Sequence, residues 1–163
     1  MKKVILLGVT ASFILFGSCT QENAPAEETI TQQKITTMTH TSSPLISLFE
    51  IPASDISRAV SFYEEILSID IEQMDVDGMK MGIFPTEDQP VSGILIETEG
   101  YAPSAEGSVI YFNAGSDLQS VLDKVEKSGG EIILPKTMHA DESGYFSIIL
   151  DSEGNKIGLN APQ

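Results

Sequence analysis

The sequence predicts an α+β domain in which one βαβββ unit occurs twice. Three observations lead to this fold class. Two amphipathic helical segments alternate with short strand-like runs, both helices follow a Ser-Asp pair, and the order of one strand, one helix and three strands is the same in each half. Matched caps and matched glycines favour an internal duplication over coincidence between two generic halves.

The first half begins with a strand predicted over residues 45–51. The segment Ala53-Ser54-Asp55 then supplies the cap of a helix. Apolar residues recur in this helix at i, i+3, i+4 and i+7, on one face, and they are Ile56, Ala59, Val60, Tyr63, Ile66 and Leu67. We expect three short strands to follow, at residues 69–74, 79–84 and 93–97.

The second half repeats this order. A strand is predicted at residues 108–113, and Gly115-Ser116-Asp117 opens a helix that Gly129-Gly130 ends. The apolar face of this helix consists of Leu118, Val121, Leu122 and Val125. Further strands are expected at residues 131–134, 145–150 and 156–160.

Composition excludes several classes of function. The chain has 163 residues, with 24 Asp and Glu against 9 Lys and Arg, a net charge of −15. Such acidity argues against a nucleic-acid partner, since phosphates are neutralised by a basic patch. One Cys excludes an internal disulfide framework and metal sites built from several Cys. The length is sufficient for one domain with an appendage.

Residues 1–18 are predicted to be a signal peptide. Lys2 and Lys3 precede the apolar run 4–16, which is shorter than the ~20 residues that cross a membrane. The segment Leu15-Phe16-Gly17-Ser18-Cys19 resembles the lipobox of bacterial lipoproteins, although Phe16 is bulkier than usual. The resemblance implies that Cys19 receives a diacylglyceryl group and becomes the acylated first residue. Simple secretion remains the alternative.

Residues 19–43 are expected to form the acylated Cys and a disordered tether, and residues 44–163 the folded domain. The tether is rich in Thr, Gln and Glu, and its residues 20–43 would span about 25–30 Å. Removal of residues 1–18 leaves 7 basic against 24 acidic side chains, a net charge of −17, so the anchor alone would hold the domain at a membrane. Thr20 stands where some lipoproteins carry an inner-membrane retention Asp, so the resemblance favours export to the envelope and the outer membrane over the inner one.

The folded part resembles the glyoxalase/bleomycin-resistance/dioxygenase superfamily, also called the vicinal oxygen chelate superfamily. The likeness covers residues 45–161 and rests on these segments: Phe49-Glu50-Ile51-Pro52-Ala53-Ser54-Asp55, Arg58-Ala59, Phe62-Tyr63-Glu64, Gly129-Gly130, Pro135-Lys136-Thr137 and Leu150-Asp151-Ser152-Glu153-Gly154-Asn155. It implies two βαβββ modules that pair into a curled mixed sheet around a cup, with the helices outside. It does not fix a reaction, because this scaffold carries several chemistries.

In metal-dependent members, the resemblance implies one divalent ion in the cup. Its ligand positions fall on Leu48, Val109 and Gly158, with Leu95 or its neighbours as the fourth, and none of these side chains can ligate. A shift of one residue would bring Glu97 into the cup. We expect His139 to be a loop residue. The prediction is therefore no metal and no other cofactor, with a divalent ion as the alternative.

Four side chains are candidates for ligand binding. Strand alternation places Glu50, Tyr111, Asn113 and Asn160 inside the implied cup, beside apolar neighbours. Glu50 has two interpretations, a structural acid satisfied by Tyr111 or a backbone amide, and a general base in apolar surroundings. No catalytic residue is assigned.

The leading interpretation is a metal-free, lipid-anchored glyoxalase-like domain that binds a small molecule in its cup. One alternative is a divalent-metal lyase or isomerase of the lactoylglutathione lyase-like type. Another is a non-catalytic interaction protein of the cell envelope, and a homodimer also stays open.

Overall fold

The computed structural model describes residues 45–87 and 89–163. Within them the chain forms two successive βαβββ modules, which confirms the predicted fold class. The first module comprises β1 (Leu48–Pro52), α1 (Ile56–Leu67), β2 (Glu72–Val76), β3 (Met79–Ile83) and β4 (Ser92–Glu97). The second comprises β5 (Ile110–Asn113), α2 (Leu118–Val125), β6 (Glu131–Met138), β7 (Gly144–Leu150) and β8 (Lys156–Pro162). The signal peptide, Cys19 and the tether predicted for residues 1–43 lie outside the described residues.

Each module forms a four-stranded mixed sheet. The strand order is β1-β4-β3-β2 in the first module and β5-β8-β7-β6 in the second. The pairs β1/β4 and β5/β8 are parallel and the other pairs antiparallel, so the two topologies are identical. In the described part of the chain no backbone pairing joins β1 to β5. The predicted curled sheet therefore consists of two halves.

The two helices begin as the caps predict. Asp55 accepts a hydrogen bond from the backbone N–H of Arg58 at 3.1 Å, and Asp117 accepts one from Ser120 N–H at 3.3 Å. Beyond α2, Gly129 adopts a φ of 94°, a left-handed conformation that glycine tolerates best. Among the described residues, no helix is long and apolar enough to cross a membrane.

One hydrophobic core lies between the helices and the sheets and includes residues of both modules. The predicted apolar positions of both helices are buried, except Leu67, which is half-buried. Four aromatic rings meet where the modules join, with centroids 5.2 to 6.0 Å apart, and they belong to Phe49, Tyr63, Phe84 and Phe112. The modules therefore associate through side chains, since their sheets share no ladder.

Two strand boundaries differ from the sequence-based expectation. β2 begins at Glu72 rather than at residue 69, because the N–H of Ile71 donates to the side chain of Glu64 instead of entering the sheet. β6 continues past residue 134 to Met138. Pro135 does not end it, because β6 is an edge strand with register shifts, where a residue without an N–H is tolerated.

The β7–β8 loop, residues 151–155, binds the second module to the first, and we call it the clamp loop. The buried carboxylate of Asp151 accepts a hydrogen bond from the Tyr63 hydroxyl of α1 at 2.8 Å. Burial, followed by the nearby charge of Asp151, raises the pKa of Tyr63 well above its ordinary value. Glu153 forms an ion pair with Arg58, Nε to Oε1 2.6 Å. The start and the middle of α1 are thus both held by this loop.

Asn155 extends the clamp loop to two further segments. Its Nδ2 donates to the carbonyl oxygen of Pro52 at the end of β1 and to Asp151, at 2.8 and 2.9 Å. Its Oδ1 accepts from the N–H of Ser104 at 3.0 Å. Ser104 lies in residues 98–109, which we call the inter-module connection. One buried amide therefore joins both modules and the segment that links them.

Candidate functional site

One face of the two sheets is turned away from the helices, and we call it the open face. It carries the four side chains predicted as candidates for ligand binding. Near the module junction it presents Leu48, Glu50, Tyr111, Asn113, Gly158 and Asn160. Leu48 and Tyr111 are 47% and 49% exposed, whereas Ile51 and Leu159, which alternate with these positions, are buried in the core. All four candidate side chains lie on this face of the sheets.

The four candidate side chains nevertheless do not converge on one point. Tyr111 and Asn113 line a crevice between the start of β1 and the end of β5. Glu50 lines a separate cavity between the end of β1 and the start of β8, and Asn160 contacts His139. Alternation specifies the face on which a side chain lies but not which cavity it reaches.

The crevice that contains Tyr111 and Asn113, which we call the aromatic crevice, has a volume of about 410 Å³. Its apolar wall consists of Phe49, Leu67, Ile69, Phe84, Val91 and Phe112. Asn113 Oδ1 accepts a hydrogen bond from Gly115 N–H at 2.9 Å, which fixes that amide at the turn before α2. An adjoining space of about 380 Å³ shares Leu67, Gln89 and Asn113 with it.

The cavity that contains Glu50, which we call the junction cavity, has a volume of about 230 Å³. The charged residues among those that line it are Glu50, Glu106 and Lys156. Glu50 Oε2 accepts a hydrogen bond from the hydroxyl of Tyr101 at 2.6 Å, and this bond raises the pKa of Tyr101. The expectation that Tyr111 or a backbone amide satisfies Glu50 is therefore wrong, because the inter-module connection brings Tyr101 to it.

His139 lies against the open face of the second sheet. Its Nε2 is 2.8 Å from Asn160 Oδ1, and its ring stacks on Phe146 with centroids 4.8 Å apart. Its backbone N–H donates to the carbonyl of Gly144 at 3.0 Å. His139 is a loop residue, as expected, but it directly follows β6, whose extension to Met138 brings the ring to β7 and β8.

Glu97 lies on the helix side of β4, where it serves the N-terminus of α1. Its Oε2 accepts from Ile56 N–H at 2.8 Å, and its Oε1 accepts from Lys80 Nζ at 2.6 Å. The bond from Lys80, followed by the bond from Ile56, lowers the pKa of Glu97. A polar groove of about 540 Å³ lies beside these residues. The idea that a shift of one residue would bring Glu97 into the cup is therefore wrong.

Comparison with known proteins agrees with this architecture. The model of the Glyoxalase/Bleomycin resistance protein/Dioxygenase superfamily matches residues 45–159. The chain belongs to this superfamily. A glyoxylase-like domain-containing protein of Didymella fabae is 29% identical to it over 115 residues, which cover 68% of this chain and 88% of that protein.

Solved structures of superfamily proteins share the fold. A glyoxalase family protein from Bacillus cereus superposes with a TM-score of 0.59 at 19% identity, over 76% of this chain and 97% of that one. TnmS3, an antibiotic binding protein from Streptomyces sp. CB03234, gives a TM-score of 0.56 at 23% identity, over 76% and 100%. A glyoxalase I variant from Zea mays gives 0.54 at 18% identity, and the match spans 71% of this chain but 45% of the maize chain.

The residues at the metal positions of the superfamily do not fit a metal ion. Leu48 and Val109 carry no ligating atom, and Leu95 is fully buried on the helix side of its sheet. A Cβ built at Gly158 would overlap the Tyr111 ring, so a longer side chain at that position has no room. Within residues 45–87 and 89–163, no group of three or more His, Cys, Asp or Glu side chains could hold an ion.

Sequence reasoning missed the residues that depend on loops. The motif Asp151-Ser152-Glu153-Gly154-Asn155 was visible, yet its bonds to α1 and β1 were not, since they join positions about 100 residues apart. Tyr101 had no signal, because hydrophobic periodicity does not extend across a connection.

Proposed function

We propose that this chain is a lipid-anchored protein of the bacterial cell envelope whose superfamily domain binds a small, largely apolar molecule, without a metal ion, in the aromatic crevice. The observation that carries the proposal is the wall of that crevice, with three Phe rings, aliphatic side chains and only a few polar groups. Ligand sites of this kind are apolar cavities of roughly 300–1,000 Å³ with few, well-placed polar groups. Its volume of about 410 Å³ falls in that range.

Two polar side chains give the crevice an orientation for its ligand. Tyr111 offers a flat face and a hydroxyl group, and Asn113 offers an amide held in place by Gly115. A structural relative described as an antibiotic binding protein is consistent with a binding role for this scaffold. The proposal assigns no reaction, since the described residues present no nucleophile with a base beside it in the crevice.

Neutral aromatic probes test the crevice. Residues 44–163, first checked for cooperative unfolding, are titrated with indole and 1-naphthol, whose fluorescence is unobstructed because the chain has no Trp. We expect saturable binding that Tyr111→Ala weakens about three- to tenfold, through the loss of an aromatic contact. Tyr101→Ala, an exposed tyrosine outside the crevice, is the matched control. Absence of saturable binding by both probes would contradict the proposal.

Metal independence is tested by elemental analysis of the purified protein together with thermal unfolding in the presence of a chelator. We expect no stoichiometric metal and an unchanged unfolding temperature, because a bound ion would stabilise the folded state by mass action. Stoichiometric metal whose removal lowers the unfolding temperature would instead favour the lyase or isomerase alternative.

The anchor is supported by the resemblance at residues 15–19 and is tested at Cys19. Export of the wild-type chain in cells supplied with labelled fatty acid should give a labelled, membrane-bound product. Cys19→Ala should abolish the label and leave the precursor unprocessed. A fully soluble wild-type product with an unmodified thiol would refute the anchor.

A further inference from the structure

We propose that the junction cavity is a second binding site, for a small zwitterion that carries an amine and a carboxylate. This cavity lies between the end of β1, the start of β8 and the inter-module connection, and it shares no lining residue with the aromatic crevice. It therefore goes beyond the proposed function, which concerns an apolar ligand elsewhere in the domain.

The acidic side of the junction cavity can hold a cation. Glu50 and Glu106 are both among the residues that line it. Glu50 Oε2 is occupied by the Tyr101 hydroxyl, which holds the carboxylate in place. Its second oxygen accepts no hydrogen bond from the described residues. A carboxylate held in this way offers its remaining oxygen to an ammonium group without having to be reoriented.

The basic side is Lys156, the first residue of β8. Its backbone position is fixed, because it follows Asn155, which is hydrogen-bonded to both modules. Among the described residues the Lys156 ammonium is in no ion pair within 4.0 Å, although two carboxylates line the same cavity. A half-buried lysine without an acidic partner is a site for an anionic group of a ligand.

Charge and volume together select the class of ligand. Lys156 would repel a simple cation, and the two carboxylates would repel a simple anion. Only a molecule that carries charges of both signs is therefore attracted at each end. The volume of about 230 Å³ is below the usual range for drug-sized ligands. An amino acid with a short carbon chain between its charged groups meets both conditions.

Isothermal titration of the full chain in a nonionic detergent tests this site at neutral pH and low salt. The probes are β-alanine, 4-aminobutyrate and 5-aminovalerate, compared with butyrate and butylamine, which each carry one of the two charges. We expect at least one amino acid to bind at least tenfold more tightly than either singly charged compound. Glu50→Gln and Lys156→Met should each weaken that binding tenfold or more, whereas Glu126→Gln and Lys127→Met, exposed charges in the turn just after α2, should not.

Three results would overturn the proposal. No amino acid of the series binds, butylamine or butyrate binds as tightly as the amino acids, or the two cavity variants bind normally. If Glu50→Gln proves unstable on heating, Lys156→Met decides the question alone, since its side chain makes no bond to the described residues. Titration with 1-naphthol reports on the aromatic crevice separately, so failure of one site is distinguishable from failure of the other.

Discussion

Glu153 is a carboxylate that stays ionised although its side chain is 1% exposed. Burial by itself raises its pKa, but the bonds from Arg58 and from the N–H groups of Ser54 and Asp55 outweigh burial, and the pKa ends below its ordinary value of 4.5. The two N–H groups lie 2.8 and 3.1 Å from Oε2. Arg58 lies on the exposed side of the pair, so the buried charge is neutralised at the surface.

We expect Glu153→Gln to lower the free energy of unfolding by about 1.5–3 kcal/mol at pH 7, the usual value of hydrogen bonds to a charged group. Because the folded pKa is lowered, this stabilisation is present above the unfolded pKa and is lost as the pH falls through the folded value. The variant should therefore lose less stability than the wild type on acidification below about pH 4.5. Urea titrations at several pH values measure this, with exposed Glu126→Gln as control. Parallel acid profiles of wild type and Glu153→Gln would contradict it.

The two helices have the same cap residue but different surroundings. At the start of α1, Glu153 and Glu97 accept from three backbone N–H groups, those of Ser54, Asp55 and Ile56, in addition to the bond that Asp55 makes. At the start of α2, the described residues supply only Asp117, which accepts from Ser120 N–H. The first module thus has a capped helix with support from distant carboxylates, and the second depends on one side chain.

Removal of each cap should therefore have unequal effects. We expect Asp117→Ala to lower the free energy of unfolding by about 1–2 kcal/mol, the upper part of the range for caps. Asp55→Ala should cost less, because neighbouring N–H groups keep their carboxylate partners. Chemical denaturation of the two variants side by side gives the comparison. Equal losses, or a larger loss for Asp55→Ala, would show that the distant carboxylates do not support α1.

Element order and helix faces could be read from the sequence because they depend on local periodicity. Edge strands could not be bounded in this way, since the start of β2 depends on the side chain of Glu64 and the length of β6 on its place at the sheet edge. Of the candidate site, alternation gave the face of Glu50 and Tyr111. It could not give their separation or the partner Tyr101, because both depend on how the inter-module connection crosses the junction.

At the scale of the whole molecule, the polar bonds between the modules lie mainly on one side of their junction. The clamp loop binds the end of β1 and the start and middle of α1, and the side chain of Asn155 takes part with three bonds. The aromatic crevice lies at the opposite end of β1 and β5, near the last residues of α1. Most polar contacts between the modules thus lie away from the proposed ligand site, and the exception is Lys124, whose Nζ donates to Glu65 O and Ser68 Oγ at the end of α1.

We expect Asn155→Ala to lower the free energy of unfolding by about 1–3 kcal/mol, because buried partners on both modules lose their bonds. Gln119→Ala, an exposed amide on α2, is the matched control and should change it little. Circular dichroism and tyrosine fluorescence during urea unfolding measure the free energy of unfolding of each variant. Both signals should follow one transition in the wild type, since a single core includes both modules. Two transitions, or an unaffected Asn155→Ala variant, would contradict this account.

In the described residues no ladder joins β1 to β5, so a rotation at the junction would turn the modules against each other like the two sides of a hinge. The clamp loop and the aromatic crevice lie at opposite ends of β1 and β5. The loop would therefore be the axis of the rotation, and the crevice would be the part that opens. A small rotation of one module about the clamp loop would widen the aromatic crevice without breaking a hydrogen bond within either sheet. Molecules larger than the present 410 Å³ would then enter the crevice at the cost of aromatic contacts and of the hydrogen bonds from Lys124 to Glu65 and Ser68.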